Sequence, residues 1–326
     1  MKKNFTYQIG ENATFTDFGR MDLDMLNNKA GLFNQHNYQL SKGQLEAQFK
    51  LLNLGALQIW VQRFNGRIAG YTQAPDSHLM LTLCEEENGI VQTTGKTLKS
   101  NDFSIMAQDG EESYCTSSGM IAITFNEESF RQFFQSTFNC ELPANVSSGI
   151  FFNNLPILNR LRLLARHMLV AANRISIPFD PFDGFNDALD ESVMLEIGRL
   201  IIGSDDVLMK KSNGDFAVNS LKKAIDFIHD HLGEKISYSD LCATAGIGER
   251  SLRNAFQKHF DSTVVDYIKK VRLNHIHTDL KQINDHIKVS DIAHKHGILH
   301  MGHFSRDYKS LFGESPKATQ KKQIIY

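Results

Sequence analysis

The chain is poor in the features that mark secreted, membrane and thiol-chemistry proteins. Its 326 residues hold four cysteines, Cys84, Cys115, Cys140 and Cys242, with no C-x-x-C pair and no framework spacing. That excludes a disulfide scaffold and leaves reduced packing thiols. No basic N-terminal region leads into an apolar run, and no uninterrupted apolar stretch reaches membrane-spanning length. A cytoplasmic protein without membrane contact is therefore expected. Histidine is scarce where strands are expected: between residues 56 and 125 only His78 occurs, with His36 well before it. A metal-dependent barrel enzyme needs two or three histidines and a carboxylate converging on one point. Neither catalysis nor a metal or cofactor is expected.

An excess of either charge is also missing, the net being −2, but the balance is uneven along the chain. Residues 216–326 carry 17 Lys+Arg against 12 Asp+Glu, whereas residues 1–215 carry 18 against 25. Ten of the 13 histidines lie in the same C-terminal part. A basic module joined to an acidic one suggests that only the tail meets a polyanion.

Short β-rich runs at 56–64, 67–72, 78–84, 102–107 and 120–125 are punctuated by glycines, which predicts an antiparallel sandwich or small barrel. Residues 45–54 fit either a helix or a strand. Helices are predicted over 127–138, 157–174 (with Pro156 suited to its start) and 187–202. The polar stretch KKSNGD at 210–215 reads as an interdomain linker. Beyond it the pattern is helical to the end, with Pro316 as the one proline. The predicted class is α+β: an N-terminal β-domain with trailing helices over 1–209, a linker at 210–217, and an all-α domain over 218–326. Ile59, Val61, Leu79, Leu81, Leu83 and Phe103 would either line an apolar barrel or form a packed core. Trp60 and Tyr71 are candidate pocket residues, and no effector-binding residue is otherwise assigned.

Two stretches of the tail repeat each other: SDLCATAGIGERSLRNAFQKHF at 239–260 and SDIAHKHGILHMGHFSRDYKSLF at 290–312. Ser239, Asp240, Leu241, Gly246 and Ile247 match Ser290, Asp291, Ile292, Gly297 and Ile298 at an offset of 51. Leu252, Phe256 and Phe260 match Phe304, Tyr308 and Phe312 at 52, so the second turn holds one extra residue. Each copy reads as a helix-turn-helix: a capping serine, a glycine for the left-handed turn, an apolar pin, then a longer helix with an i, i+4, i+8 stripe. In the first copy the opposite face holds Arg250, Arg253, Asn254 and Gln257, groups able to read guanine and adenine edges. In the second it holds Gly302, Ser305 and Arg306, with His300 and His303 nearby. A connecting helix over 263–280 would span roughly 27 Å and set the reading helices near one DNA turn apart. Lys258, Lys269, Lys270, Arg272 and Lys309 are candidate phosphate contacts.

This arrangement resembles the AraC/XylS family of bacterial transcription regulators over residues 218–321. The residues carrying it are the two repeats, the connector piece DYIKKVRLNHI and the ending GESP at Pro316. The chain departs from the family pattern at Ile276, Ile298, Ala318 and Thr319. The resemblance implies a double helix-turn-helix reader of promoter DNA whose base-reading positions fall on Arg250, Arg253 and Asn254, then on Met301, Gly302, Ser305 and Arg306. It further implies a cupin-like effector-sensing and dimerisation domain, a homodimer, contact with RNA polymerase, a small-molecule effector or partner protein, and a place on the nucleoid. Alternatives are a dimeric regulator without a small ligand, or a cupin-type enzyme fused to a DNA reader. A fused DNA-repair methyl acceptor would need an activated or zinc-bound cysteine, and none of the four sits in such a setting.

Overall fold

Alternation along the early strands produces two antiparallel sheets. The computed structural model describes residues 5–8, 13–29, 35–85, 90–93, 96–99, 102–106, 111–116, 119–144, 146, 150–152, 155–174, 185–203, 214–282 and 287–322. With strands numbered along the chain, the larger sheet runs β1 (Phe5–Gln8), β2 (Thr14–Met21), β4 (Ala47–Asn53), β5 (Leu57–Phe64), β12 (Met120–Asn126), β7 (His78–Cys84), β10 (Asp102–Met106), β13 (Ile150–Phe152). The smaller runs β3 (His36–Gln39), β6 (Ile68–Gln73), β11 (Glu111–Thr116), β8 (Val91–Thr93), β9 (Lys96–Leu98). Helix α1 (Leu23–Lys29) links β2 to β3. The ambiguous segment near 45–54 is thus a strand, paired on both sides by β2 and β5.

Register explains why the central strands read as unbroken apolar runs. Ile121 of β12 lies opposite Val61 and Leu83, and Leu83 lies opposite Phe103, which sets one apolar row across four strands. Helices α2 (Glu127–Phe138), α3 (Leu155–Arg174) and α4 (Phe185–Gly203) cover that face through Phe130, Phe134, Leu158, Leu161, Val193 and Ile197. The other face carries Phe49, Trp60, Met80, Cys84 and Met120, which share a second core with Ile68, Val91 and Leu98 of the smaller sheet. A sheet covered on both faces needs no polar alternation. Ile59, Val61, Leu79, Leu81, Leu83 and Phe103 are therefore core under the helices rather than barrel lining. Trp60 is likewise core, edge-on to Phe49 with centroids 6.2 Å apart.

The expected helix over 127–138 is found with those bounds, capped by Asn126, whose side chain accepts from the Ser129 amide. Pro156 sits in the first turn of α3, where a missing N–H costs nothing. Helix α5 (Gly214–Asp230) begins inside the expected linker, whose first residues, 210–213, lie outside the described residues. After it come α6 (Tyr238–Ala245), α7 (Glu249–Phe260), α8 (Val264–Gln282), α9 (Val289–Lys295), α10 (Met301–Phe312) and a short α11 (Pro316–Lys321). These helices make two cores, and α8 belongs to both. Its first half gives Val264, Tyr267, Ile268 and Val271 to the core of α5–α7; its second half gives Leu273, Ile276 and Leu280 to that of α9 and α10.

Candidate nucleic-acid interface

The first hairpin is built from its turn outward. Ser237, two residues before the expected Ser239, caps α6: its hydroxyl accepts from the Asp240 amide at 3.2 Å, and the Asp240 carboxylate accepts back from the Ser237 amide at 3.2 Å. This reciprocal capping box, led by the Ser237 hydroxyl, holds the Asp240 carboxyl below its usual range. Gly246 ends the helix at φ +66°, the left-handed conformation that favours glycine. Leu252, Phe256 and Phe260 of α7 are buried against Tyr267, which leaves Arg250, Arg253, Asn254, Gln257 and Lys258 exposed on the far side.

Two residues that the sequence reading did not single out hold Arg253. Its Nε donates to the Glu249 carboxylate at 2.9 Å, and its guanidinium lies over the Tyr238 ring at 4.3 Å. The i, i+4 spacing of Glu249 and Arg253 was the available signal for the first contact. The second joins the opening turn of α6 to α7 and has no local signature. Gln257 donates to Asp261 at 2.8 Å. Among the described residues, the side chains of Arg250, Asn254 and Lys258 form no hydrogen bond or ion pair.

The second hairpin repeats the plan with changes. Ser290 is not its cap: Lys288 takes that position without a side-chain bond, and Ser290 lies inside α9. Gly297 turns the chain at φ +74°, and Phe304, Tyr308 and Phe312 are buried as the repeat predicts. His300 caps α10 without a side-chain bond; Gly302, Ser305, Arg306 and Lys309 are exposed, and Met301 is half-buried against the core. Arg306 Nη2 lies 3.0 Å from His303 Nδ1. Open space surrounds the missing Cβ of Gly302, so a partner's backbone can approach this end of α10 closely.

Of the candidate phosphate contacts, Lys258 and Lys309 are free at the surface. Lys270 pairs with Asp266 at 2.8 Å, and Lys269 lies between Asp266 at 3.4 Å and Asp307 at 3.6 Å, tying α8 to α10. Arg272, half-buried, is engaged by the protein's own backbone. Its guanidinium donates to the carbonyls of Leu232 at 2.9 Å, Gly297 at 3.2 Å and Glu234, bracing the second turn against the end of α5. Three carbonyls take one N–H from each guanidinium nitrogen, three of its five donors.

The N-terminal domain grips the other ends of both exposed helices. Arg67 donates to the Phe260 carbonyl at 3.3 Å and pairs with Asp261 at 2.9 Å where α7 stops. Gln39 Nε2 donates to the Leu311 carbonyl at 2.6 Å, and the Gly43 amide donates to that of Ser310 at 3.2 Å, where α10 stops. Between them the Asn274 amide on α8 accepts from the Gln39 N–H at 2.8 Å and donates to the Gln39 carbonyl at 3.0 Å, as another strand would. The leading ends of α7 and α10, with Arg250, Arg253, Arg306 and Gly302, lie at the ends opposite these contacts.

Two apolar-pinned hairpins, each offering a polar helix and set on one shared spacer, define a helix-turn-helix DNA-binding domain. Residues 241–322 match the helix-turn-helix domain family. Over 101 residues the chain is 35% identical to the XylDLEGF operon transcriptional activator of Pseudomonas putida, which is 31% of this chain and 32% of that one. Over 97 residues it is 29% identical to the probable thc operon regulatory protein of Rhodococcus erythropolis, 29% of each chain. The chain thus spans about a third of the length of the curated relatives it matches. Among solved structures, the AraC-like transcriptional activator CuxR aligns over 70% of this chain and 80% of its own, at 14% identity and TM-score 0.36. ToxT of Vibrio cholerae O395 aligns over 91% and 100%, at 12% identity and TM-score 0.30. Over this C-terminal domain, about a third of its length, the chain is similar to regulators of the AraC/XylS family.

Proposed function

We propose that this protein is a one-component transcription activator that reads a promoter half-site through two successive major grooves. The observation that carries this reading is the duplicated hairpin on a single helix of 19 residues, about 28 Å long at 1.5 Å per residue. Successive major grooves on one face of B-DNA recur about every 34 Å. Arg250, Arg253, Asn254 and Gln257 on α7 are the principal base readers, with His300, Met301, Gly302, Ser305 and Arg306 at the second groove. Lys258, Lys309 and Lys269 neutralise phosphates, with Lys269 drawn from its two aspartates. The activators among its relatives support the activating sense.

In this reading residues 1–209 form a cupin-like sensing and dimerisation domain, 210–217 the linker and 218–326 the DNA reader. The protein acts as a cytoplasmic homodimer on the nucleoid, contacts RNA polymerase and performs no catalysis. A small effector shifts the balance between two dispositions of the domains, and the grip on the trailing ends of α7 and α10 gives that shift a route to the DNA. Mapping the sites occupied in cells, then footprinting the full chain on one of them, tests the reading. Two protected major-groove patches one helical turn apart are expected. No preference for any duplex over random sequence at low salt would overturn it.

A further inference from the structure

A cavity of about 380 Å³ opens between the helix-covered face of the large sheet and the second half of α3. Gln48, Lys50, Val61, Arg63, Glu85, Arg166, Leu169 and Val170 line it. Its size falls in the range of small-ligand pockets. Among these lining residues three cations face one carboxylate. Glu85, with its side chain 2% exposed, bonds Arg63 Nε at 2.6 Å, and its backbone carbonyl takes an Arg166 N–H. Lys50 leans on Asp17 at 3.2 Å outside the cavity. Arg166 remains under-used: its Nε is buried without a hydrogen-bond partner, 3.9 Å from the nearer Glu85 oxygen. The apolar lining is Leu169 and Val170, one turn beyond Arg166 on α3, with Val61 beside Lys50 on the sheet; Val170, 49% exposed, stands among the large hydrophobic side chains left open.

We infer that this cavity binds a small organic acid, its carboxylate held by Arg166 and Lys50 and its short aliphatic body against Val61, Leu169 and Val170. The Arg166 side chain keeps 34% of its surface, so a carboxylate can meet the open edge of its guanidinium, and a planar guanidinium suits it better than a point cation. The inference rests on the reading of the N-terminal domain as a sensor and gives that sensor a ligand class and a place. The site lies on the helical side of the sheet, so occupancy bears directly on α3 and, through it, on α4.

Calorimetric titration of the full chain, without DNA, with sodium hexanoate, hexanamide and sodium phosphate tests this. Hexanoate should bind one per chain, while hexanamide, which lacks the charge, and phosphate, which lacks the apolar body, should not. Lys50→Gln, at a half-exposed position, should weaken hexanoate about tenfold, the scale of one charged hydrogen bond. Val170→Asp, which sets a negative charge beside the apolar wall, should do the same. Equal binding of hexanoate and hexanamide, no binding of any probe, phosphate binding as well as hexanoate, or affinity unchanged in both variants would overturn the inference. Promoter binding by the same preparation is read separately: hexanoate binding without DNA binding sinks the proposed function and leaves this site standing, and the reverse sinks only the site.

Discussion

Arg253 is already held over the Tyr238 ring and tied to Glu249 within the domain itself, so little rotamer freedom remains to be lost on binding. Arg253→Ala should cost about 1–3 kcal/mol on the preferred duplex and relax one base position. Lys258→Ala should weaken preferred and scrambled duplexes alike and lower the salt slope by about one. Fluorescence anisotropy on both duplexes across a salt series separates the two patterns, and a uniform loss for Arg253→Ala would remove it from base reading. The turn glycines differ in a way that only the structure exposes. Both have positive φ, but a Cβ at Gly246 meets open space, whereas at Gly297 it would lie 2.6 Å from the Leu232 carbonyl and against Arg272. Gly246→Ala should cost about 1–2 kcal/mol for the left-handed backbone alone. Gly297→Ala should cost more and loosen α9 and α10, read as faster amide exchange there. Both turns were legible in the repeated Gly-Ile pairs; the caps were legible only in part. Ser237 and Asp240 have the S-x-x-D spacing of a capping box, while the matching of Ser239 with Ser290 drew the reading to residues inside the helices.

At the scale of elements, helix α8 shows what periodicity reveals and what it hides. Its apolar positions marked it as a helix, and its bounds, Val264–Gln282, lie within two residues of the expected ones. The same pattern could not tell that Arg272 faces inward to three carbonyls, because a basic residue on a helix reads as solvated until its neighbours from distant segments are known. The histidines were opaque for the same reason. His229, His259, His275 and His277 are each pushed down to about 4, chiefly by burial; at His277 the pull of Asp24 the other way does not prevail. A histidine whose native value lies below its unfolded one of about 6.5 binds fewer protons when folded. The stability it lends is complete above pH 6.5 and is lost as pH falls toward 4. Each such proton steepens the loss by up to about 1.4 kcal/mol per pH unit. Urea midpoints followed through hydrogen exchange of the α5–α10 amides should therefore drop for the helical domain between pH 7.5 and 5. A level midpoint over that interval would show that these rings are solvated in solution.

For the whole molecule the contact between domains is the route the proposed sensing would take to DNA, and it was the least legible part, since its partners lie 193 to 272 residues apart. On one side of the Asn274–Gln39 pairing stands an ion cluster: Lys281 Nζ bonds Asp22 at 2.9 Å and Asp24 at 2.7 Å, and the Thr278 hydroxyl donates to Asp24 at 2.6 Å. Lys281 keeps 9% of its side-chain surface and Asp24 keeps 10%, so the pair is shielded from water. Burial would raise the Asp22 carboxyl, but Lys281 and the Met25 amide outweigh it and hold it low; Lys281 is held high by the same two aspartates against its own burial. Breaking such a pair from one side costs more than removing both charges, because the orphaned partner stays desolvated. Lys281→Ala should weaken the domain contact by about 3 kcal/mol, the lower end for a broken buried pair. Lys281→Met combined with Asp24→Asn should recover part of that loss. The readouts are the exchange rate of the Gln39 amide, which Asn274 protects only while the domains are joined, and the radius of gyration in solution at pH 7. Both should rise in Lys281→Ala and return toward wild type in the double variant, while affinity for a scrambled duplex at low salt stays within about twofold. If neither quantity moves in Lys281→Ala, the cluster is not what joins the domains, and the paired Asn274–Gln39 amides with the Arg67 and Gln39 caps on the two reading helices must carry the contact alone.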